Sequence, residues 1–260
     1  MLTTTAPLVR LDEVDSTQRV AMELARAGTP HGTCVVAAKQ SAGRGRLGRA
    51  WLAPEDGLYC SLVLEVRCPI ARAPRVTLGA AGGLLEVMDA LGVCASQGGA
   101  RVKWPNDVVI PRQPSSLDGR IGPFRKVAGL LVEVARTSSI GELEVVVLGI
   151  GVNVKAPADG WPGELVSTAG ALVDAGSEHA LSAGELLAQV RARVPAAVGR
   201  ALRDLSETLA VLRTRSATLG RRVEVDGLFG LAADLDDEGA LLVIDDAGAS
   251  HTVRAGDVWI

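Results

Sequence analysis

Residues 39–52 read Lys-Gln-Ser-Ala-Gly-Arg-Gly-Arg-Leu-Gly-Arg-Ala-Trp-Leu, and whether a helix can begin inside this stretch decides between two fold classes. Gly43-x-Gly45-x-x-Gly48 matches the dinucleotide-binding fingerprint, and Glu65 stands near the spacing of its ribose-binding acid. That fingerprint works where a strand passes straight into a helix, so that a pyrophosphate meets the helix N-terminus. Here Trp51-Leu52-Ala53-Pro54 and Gly57 oppose a helix, and Arg44 and Arg46 put bulk where backbone must approach closely. The doubly wound dinucleotide fold is therefore rejected, and no Gly-Lys-Ser/Thr phosphate loop occurs elsewhere. What remains is a loop, residues 43–49, holding three glycines and three arginines, with Lys39 just upstream and no acid between Lys39 and Glu55. Glycines free backbone N–H groups for close contact, and arginines offer forked, permanent charge to phosphate oxygens. So much like charge predicts a loop that is disordered when empty and ordered by an anionic ligand.

Working outward, residues 8–11 read as a strand. Asp15-Ser16-Thr17-Gln18 reads as a capped helix start, and Gly28 stops that helix. Residues 33–38 and 58–66 are apolar strands. Val76, Ala80, Leu84, Val87 and Leu91 mark a long helix ended by Gly92. Further strands are expected at 101–104, 127–135 and 143–152, with the Pro/Ser/Gly-rich residues 111–125 as a mobile loop. Ser182-Ala183-Gly184-Glu185 is a capping box opening a helix toward Arg213, which Pro195 should kink or break. After Gly220 the pattern changes to short strands at 222–225, 228–234, 241–244 and 252–254, separated by turn residues. The expected class is α+β: a mixed sheet backed by helices over 1–215, then a small β-barrel over 216–260.

The bulk composition sets limits on function. With 260 residues, 48% apolar and 22% charged, the chain can bury a sizeable core. A net charge of −3 argues against a protein dominated by nucleic-acid binding. No signal peptide is visible, and no apolar run approaches the roughly 18 residues of a membrane helix. Cys34, Cys60, Cys68 and Cys94 form no Cys-x-x-Cys pair and the chain has three histidines, so a structural zinc site is not expected. Buried free thiols at Cys34 and Cys60 fit a reducing cytoplasm.

Three further segments carry chemistry-bearing groups. Lys103-Trp104-Pro105-Asn106-Asp107 is either a strand ending in a turn or the mouth of a site. In the second reading Asn106 and Asp107 offer an amide and a carboxylate, which could meet a cyclic urea or a magnesium ion. Lys126 opens an apolar strand, as its solvated edge or as a cation aimed at a carboxylate or phosphate. Residues 149–154 are an apolar strand end that finishes in the polar amide of Asn153.

Taken in order, Asp15-Ser16-Thr17-Gln18, Gln40-x-x-Gly43-Arg44-Gly45-Arg46, Lys103-Trp104-Pro105-Asn106-Asp107, Lys126-Val127-Ala128-Gly129 and Gly149-x-Gly151-x-Asn153 strongly resemble the biotin–protein ligases over about residues 8–260. The resemblance implies that biotin is activated by ATP to biotinyl-5′-AMP and passed to a lysine of a biotin carboxyl carrier domain of a biotin-dependent carboxylase. Ser16, Thr17, Gln18, Gln40, Arg44, Gly45, Arg46 and Lys126 would then surround biotin, with Lys126 and Arg44 acting in catalysis. Gln18 stands where many relatives have Asn. Arg46, Arg49, Trp51, Asn106, Asp107 and Asn153 would serve ATP or its Mg²⁺, with no metal ligand set assigned. The implied C-terminal barrel is SH3-like. Motifs that begin at Asp15 leave no room for the helix-turn-helix of repressor relatives, so a ligase without a nucleic-acid or membrane partner is expected. A lipoate or octanoate ligase of related fold is the main alternative; a nucleic-acid-binding regulator and a non-catalytic biotin sensor are weaker ones.

Overall fold

A computed structural model describes residues 6–53, 57–93, 99–112, 124–175 and 182–260. Seven strands form one mixed sheet in the order β1-β2-β3-β7-β6-β5-β4. They are β1 (Leu8–Val14), β2 (Cys34–Gln40), β3 (Leu58–Cys68), β4 (Arg101–Lys103), β5 (Asp107–Pro111), β6 (Phe124–Thr137) and β7 (Leu143–Val152). β1 and β2 are parallel, joined by the crossover helix α1 (Thr17–Arg26); the remaining pairs are antiparallel. Parallel pairing sets Val14 opposite Gln40. The segment 15–18 and the Arg/Gly loop therefore leave the sheet side by side.

Each face of the sheet has its own cover. On one, Ala21 and Ala25 of α1 pack on Val35, Val63, Val145 and Val147. On the other, α2 (Ala73–Ala90) and α4 (Ala183–Arg203) pack on Leu58, Leu62, Leu64, Leu148 and Ile150. The two helices approach closely because α2 offers glycines. A Cβ on Gly79 would stand 2.7 Å from the Ala201 methyl, and one on Gly83 would stand 2.8 Å from that of Ala197. Short α3 (Leu165–Thr168) precedes α4, and α5 (Ser206–Thr214) follows it.

The capping-box expectation holds at Ser182, whose Oγ accepts the Glu185 N–H at 3.1 Å. Of the kink or break expected at Pro195, the break does not occur: α4 runs through it to Arg203, and the chain turns at Asp204-Leu205. Proline removes one backbone donor, while Val190, Val194, Ala197, Val198 and Ala201 on both sides of it are buried and hold the helix together. β5 was not expected as a separate strand. The loop expected at 111–125 reduces to its ends, because 113–123 lie outside the described residues, as does Cys94.

The C-terminal strands β8 (Arg222–Val225), β9 (Leu228–Leu235), β10 (Leu241–Asp245), β11 (Ser250–Val253) and β12 (Val258–Trp259) make a separate antiparallel sheet, ordered β11-β10-β9-β8-β12. Closure into a barrel is not among these pairings. Trp104 ties this sheet to the larger one, donating its Nε1–H to Gly239 O at 2.9 Å and its backbone N–H to Thr218 Oγ1 at 3.0 Å. Buried Val223, Val225, Leu241, Val243 and Val258 belong to the same apolar core as α2 and α4.

Candidate active site

All thirteen residues proposed from sequence line one cavity of about 460 Å³ at the end of the sheet where β1 and β2 finish. Its floor is a buried hydrogen-bonded set. The Thr17 N–H donates to Gln40 Oε1 at 2.8 Å, Thr17 Oγ1 lies 3.0 Å from Ser61 Oγ, and Ser61 Oγ donates to Gln18 Oε1 at 3.0 Å. Gln18 Nε2 donates to Val147 O at 3.1 Å. Ser16 holds the N-cap position of α1, but its side chain makes no cap bond; Oγ is buried and has no partner. A hydroxyl kept from its usual capping role is left for something else in the cavity.

In the structure the charge of the Arg/Gly loop is met by protein acceptors. Its base is closed by the Trp51 N–H donating to Gly43 O at 2.8 Å and the Gly45 N–H to Arg49 O at 2.7 Å. Arg44 faces Glu133 at 3.4 Å. Arg46 donates to Asn106 Oδ1 at 2.7 Å and to Gly256 O at 3.3 Å, and Arg49 pairs with Asp257.

Trp51 lies against two strand glycines. A Cβ on Gly151 would come within 2.5 Å of its ring, and one on Gly129 within 2.7 Å. Lys126 Nζ stands 5.2 Å from the Trp51 ring centroid and 2.7 Å from Asp107 Oδ1. Asp107 is thus ion-paired with Lys126. Among the described residues no group of three or more His, Cys, Asp or Glu side chains could hold a metal ion. The Asn106 Nδ2 donates to Leu130 O at 3.0 Å, so both ends of this amide bond to protein. Asn153 is 4% exposed; its Nδ2 donates to Gly170 O at 3.0 Å, while Oδ1 is buried without a partner.

Ser61, Trp161, Glu164, Thr168 and the Gly256–Trp259 segment of the small sheet also line the cavity and escaped the sequence reading, while Lys103 was noticed within its motif but given no role. The Gly149-x-Gly151 spacing was the available signal for Trp51, since glycine inside a strand marks close approach by another group. Burial pushes the Lys103 ammonium below the ordinary lysine range, opposed by Asp107.

The biotin/lipoate A/B protein ligase family matches residues 11–153, and the biotin protein ligase C-terminal domain matches residues 218–260. A biotin–[acetyl-CoA-carboxylase] ligase of Paracoccus denitrificans is 32% identical over 96% of this chain and 98% of that protein. The bifunctional ligase/repressor BirA of Bacillus subtilis is 33% identical over 95% of this chain and 72% of that protein. A biotin protein ligase structure from Aquifex aeolicus, in complex with biotin and ATP, superposes with a TM-score of 0.73 at 27% identity, covering 97% of each chain. The chain belongs to the biotin protein ligases, within the biotin/lipoate A/B protein ligase family.

Proposed function

We propose that this cavity joins biotin to ATP and passes the biotinyl group to a lysine of a biotin carboxyl carrier domain. The observation that carries the assignment of roles is the make-up of the cavity lining. The lining combines the uncharged, hydrogen-bonded Thr17–Gln40–Ser61–Gln18 floor with the cations Lys126, Arg44, Arg46 and Arg49. A cyclic urea with an apolar chain fits the first, and a triphosphate fits the second.

The biotin carboxylate oxygen attacks the α-phosphorus and pyrophosphate leaves. Lys126 Nζ, held between Asp107 and Trp51, neutralises both reacting anions. The free Asn153 Oδ1 is a buried acceptor that needs a donor, and the adenine amine supplies one. The Arg/Gly loop shields the mixed anhydride from water. The acceptor amine then attacks the acyl carbon and AMP departs. Mg²⁺ would neutralise the phosphates when bound; with Asp107 and Asp257 already paired, it would be held chiefly by phosphate oxygens. We also read the terminal sheet as an SH3-like barrel beginning at residue 216; its five short strands support this.

The test is ATP-dependent transfer of labelled biotin to an isolated carrier domain, with ATP–pyrophosphate exchange driven by biotin and, separately, by lipoate. Biotin-dependent exchange and transfer are expected; exchange with lipoate alone would replace this reading with the lipoate one.

A further inference from the structure

We infer that Lys103 is a second catalytic lysine, the base that takes a proton from the incoming acceptor lysine during transfer. The inference rests on the ligase reading above. Lys103 ends β4 and lines the cavity where the C-terminal sheet borders it. Its Nζ lies 5.9 Å from the ring centroid of Trp259, and Trp259 is 60% exposed, so this side of the cavity is open to solvent and to an incoming acceptor.

The two carboxylates near Lys103 are already committed, Asp107 to Lys126 and Asp257 to Arg49. Among the described residues the Lys103 ammonium has neither a hydrogen bond nor an ion pair, although its backbone pairs with Asp107 in the β4–β5 ladder. A half-buried ammonium without its own counter-charge is poorly stabilised. Burial lowers its pKa; Lys126 from β6 and Arg49 from the loop act in the same direction, while Asp107 from β5 and Asp257 from the turn before β12 oppose them. Lys126 differs: it has a carboxylate of its own at 2.7 Å.

The chemistry of transfer needs such a group. An acceptor lysine is an ammonium near neutral pH, with its electron pair tied up by a proton. Lys103, as a free amine, takes that proton. The pair released on the acceptor nitrogen attacks the acyl carbon of biotinyl-AMP. The C–N bond forms, the C–O bond to the phosphate breaks, and its electrons leave with AMP. The surplus proton on the new amide nitrogen goes to solvent. The same lysine stays protonated while ATP fills the cavity, because phosphate charge favours the ammonium. Departure of pyrophosphate removes that charge and frees the base for the second step.

The experiment is single-turnover transfer from preformed biotinyl-AMP to a carrier domain, across about pH 6 to 10. The unsubstituted enzyme is compared with Lys103→Arg, which keeps the charge but cannot act as a base, and with Lys103→Ala. Pyrophosphate exchange on the same preparations reports folding and the first step. Lys103→Arg should slow transfer by at least about 100-fold, the usual size of general-base catalysis, and adenylation by less than about tenfold. Its transfer rate should keep rising toward the acceptor's own titration, where the unsubstituted enzyme levels off earlier. Lys103→Ala should follow Lys103→Arg in transfer. Transfer by Lys103→Arg within about threefold of normal, an unmoved pH profile, or equal losses in both steps would each overturn the assignment. Absence of transfer by the unsubstituted enzyme would instead strike the ligase reading.

Discussion

Gly151→Ala tests whether the sheet floor positions the reaction. The added methyl would stand 2.5 Å from Trp51 Cε2. An ordinary carbon–carbon contact is about 3.5 Å, so roughly 1 Å must be found. β7 cannot supply it, because Gly151 is paired with Tyr59 on one side and Gly129 on the other. The indole must withdraw into the cavity instead, disturbing Lys126 at 5.2 Å from its centroid. A misplacement of about 1 Å near reacting groups costs up to about 100-fold. Adenylation kcat/KM should therefore fall by roughly 10- to 100-fold, or about 1.4–2.7 kcal/mol, in biotin-dependent pyrophosphate exchange. The loss should pass through Trp51. In a Trp51→Ala background Gly151→Ala should add less than about threefold, a coupling that a double-mutant cycle measures. An equal loss in both backgrounds would refute the reasoning.

Lys126→Ala should slow biotinyl-AMP formation by roughly 10²–10³-fold, because it removes the cation from both reacting anions and leaves Asp107 without its partner; near-normal pyrophosphate release would remove its role. Arg44→Ala should speed escape of biotinyl-AMP, followed by retention of labelled adenylate on the enzyme; unchanged retention counts against a shielding loop. Glu238 pairs with the nearly buried Arg75 at 2.7 Å, and that guanidinium holds the carboxyl below its usual range. A depressed folded pKa gives stability that is present above the unfolded value and lost as pH falls through the folded one. Glu238→Gln should thus lower Tm at neutral pH, with the deficit starting to shrink below about pH 4 and closing as pH falls through the lower folded pKa; a deficit that stays constant as pH falls through that range would contradict the linkage.

The site was legible because its chemistry is packed into short segments. Residues 15–18, 40–49, 103–107, 126 and 153 announce themselves by polar or glycine content at the ends of apolar runs. Strand and helix cores were legible by period for the same reason. What stayed hidden depends on distant partners. Val258–Trp259 is a strand only because Val225 and Glu224 pair with it. β5 begins at Asp107, the residue that the turn reading had used as an end. Pro195 is tolerated because buried neighbours outweigh one missing donor. The fates of Asn106, Asp107 and the loop arginines could not be read locally, since their partners lie as far away as Leu130, Lys126, Gly256 and Asp257.

Trp104 has a consequence beyond holding two sheets together. Its indole N–H reaches Gly239 while its own chain runs on, two residues later, into Asn106 at the cavity. The apolar core is continuous across the same junction. The small sheet should therefore melt together with the rest of the molecule. Amide protons of β8–β10 should exchange with the same opening free energy as those of β6 and β7. Damage anywhere in the last forty residues is then felt as loss of the whole molecule's cooperativity, although the sequence there reads as an appendage.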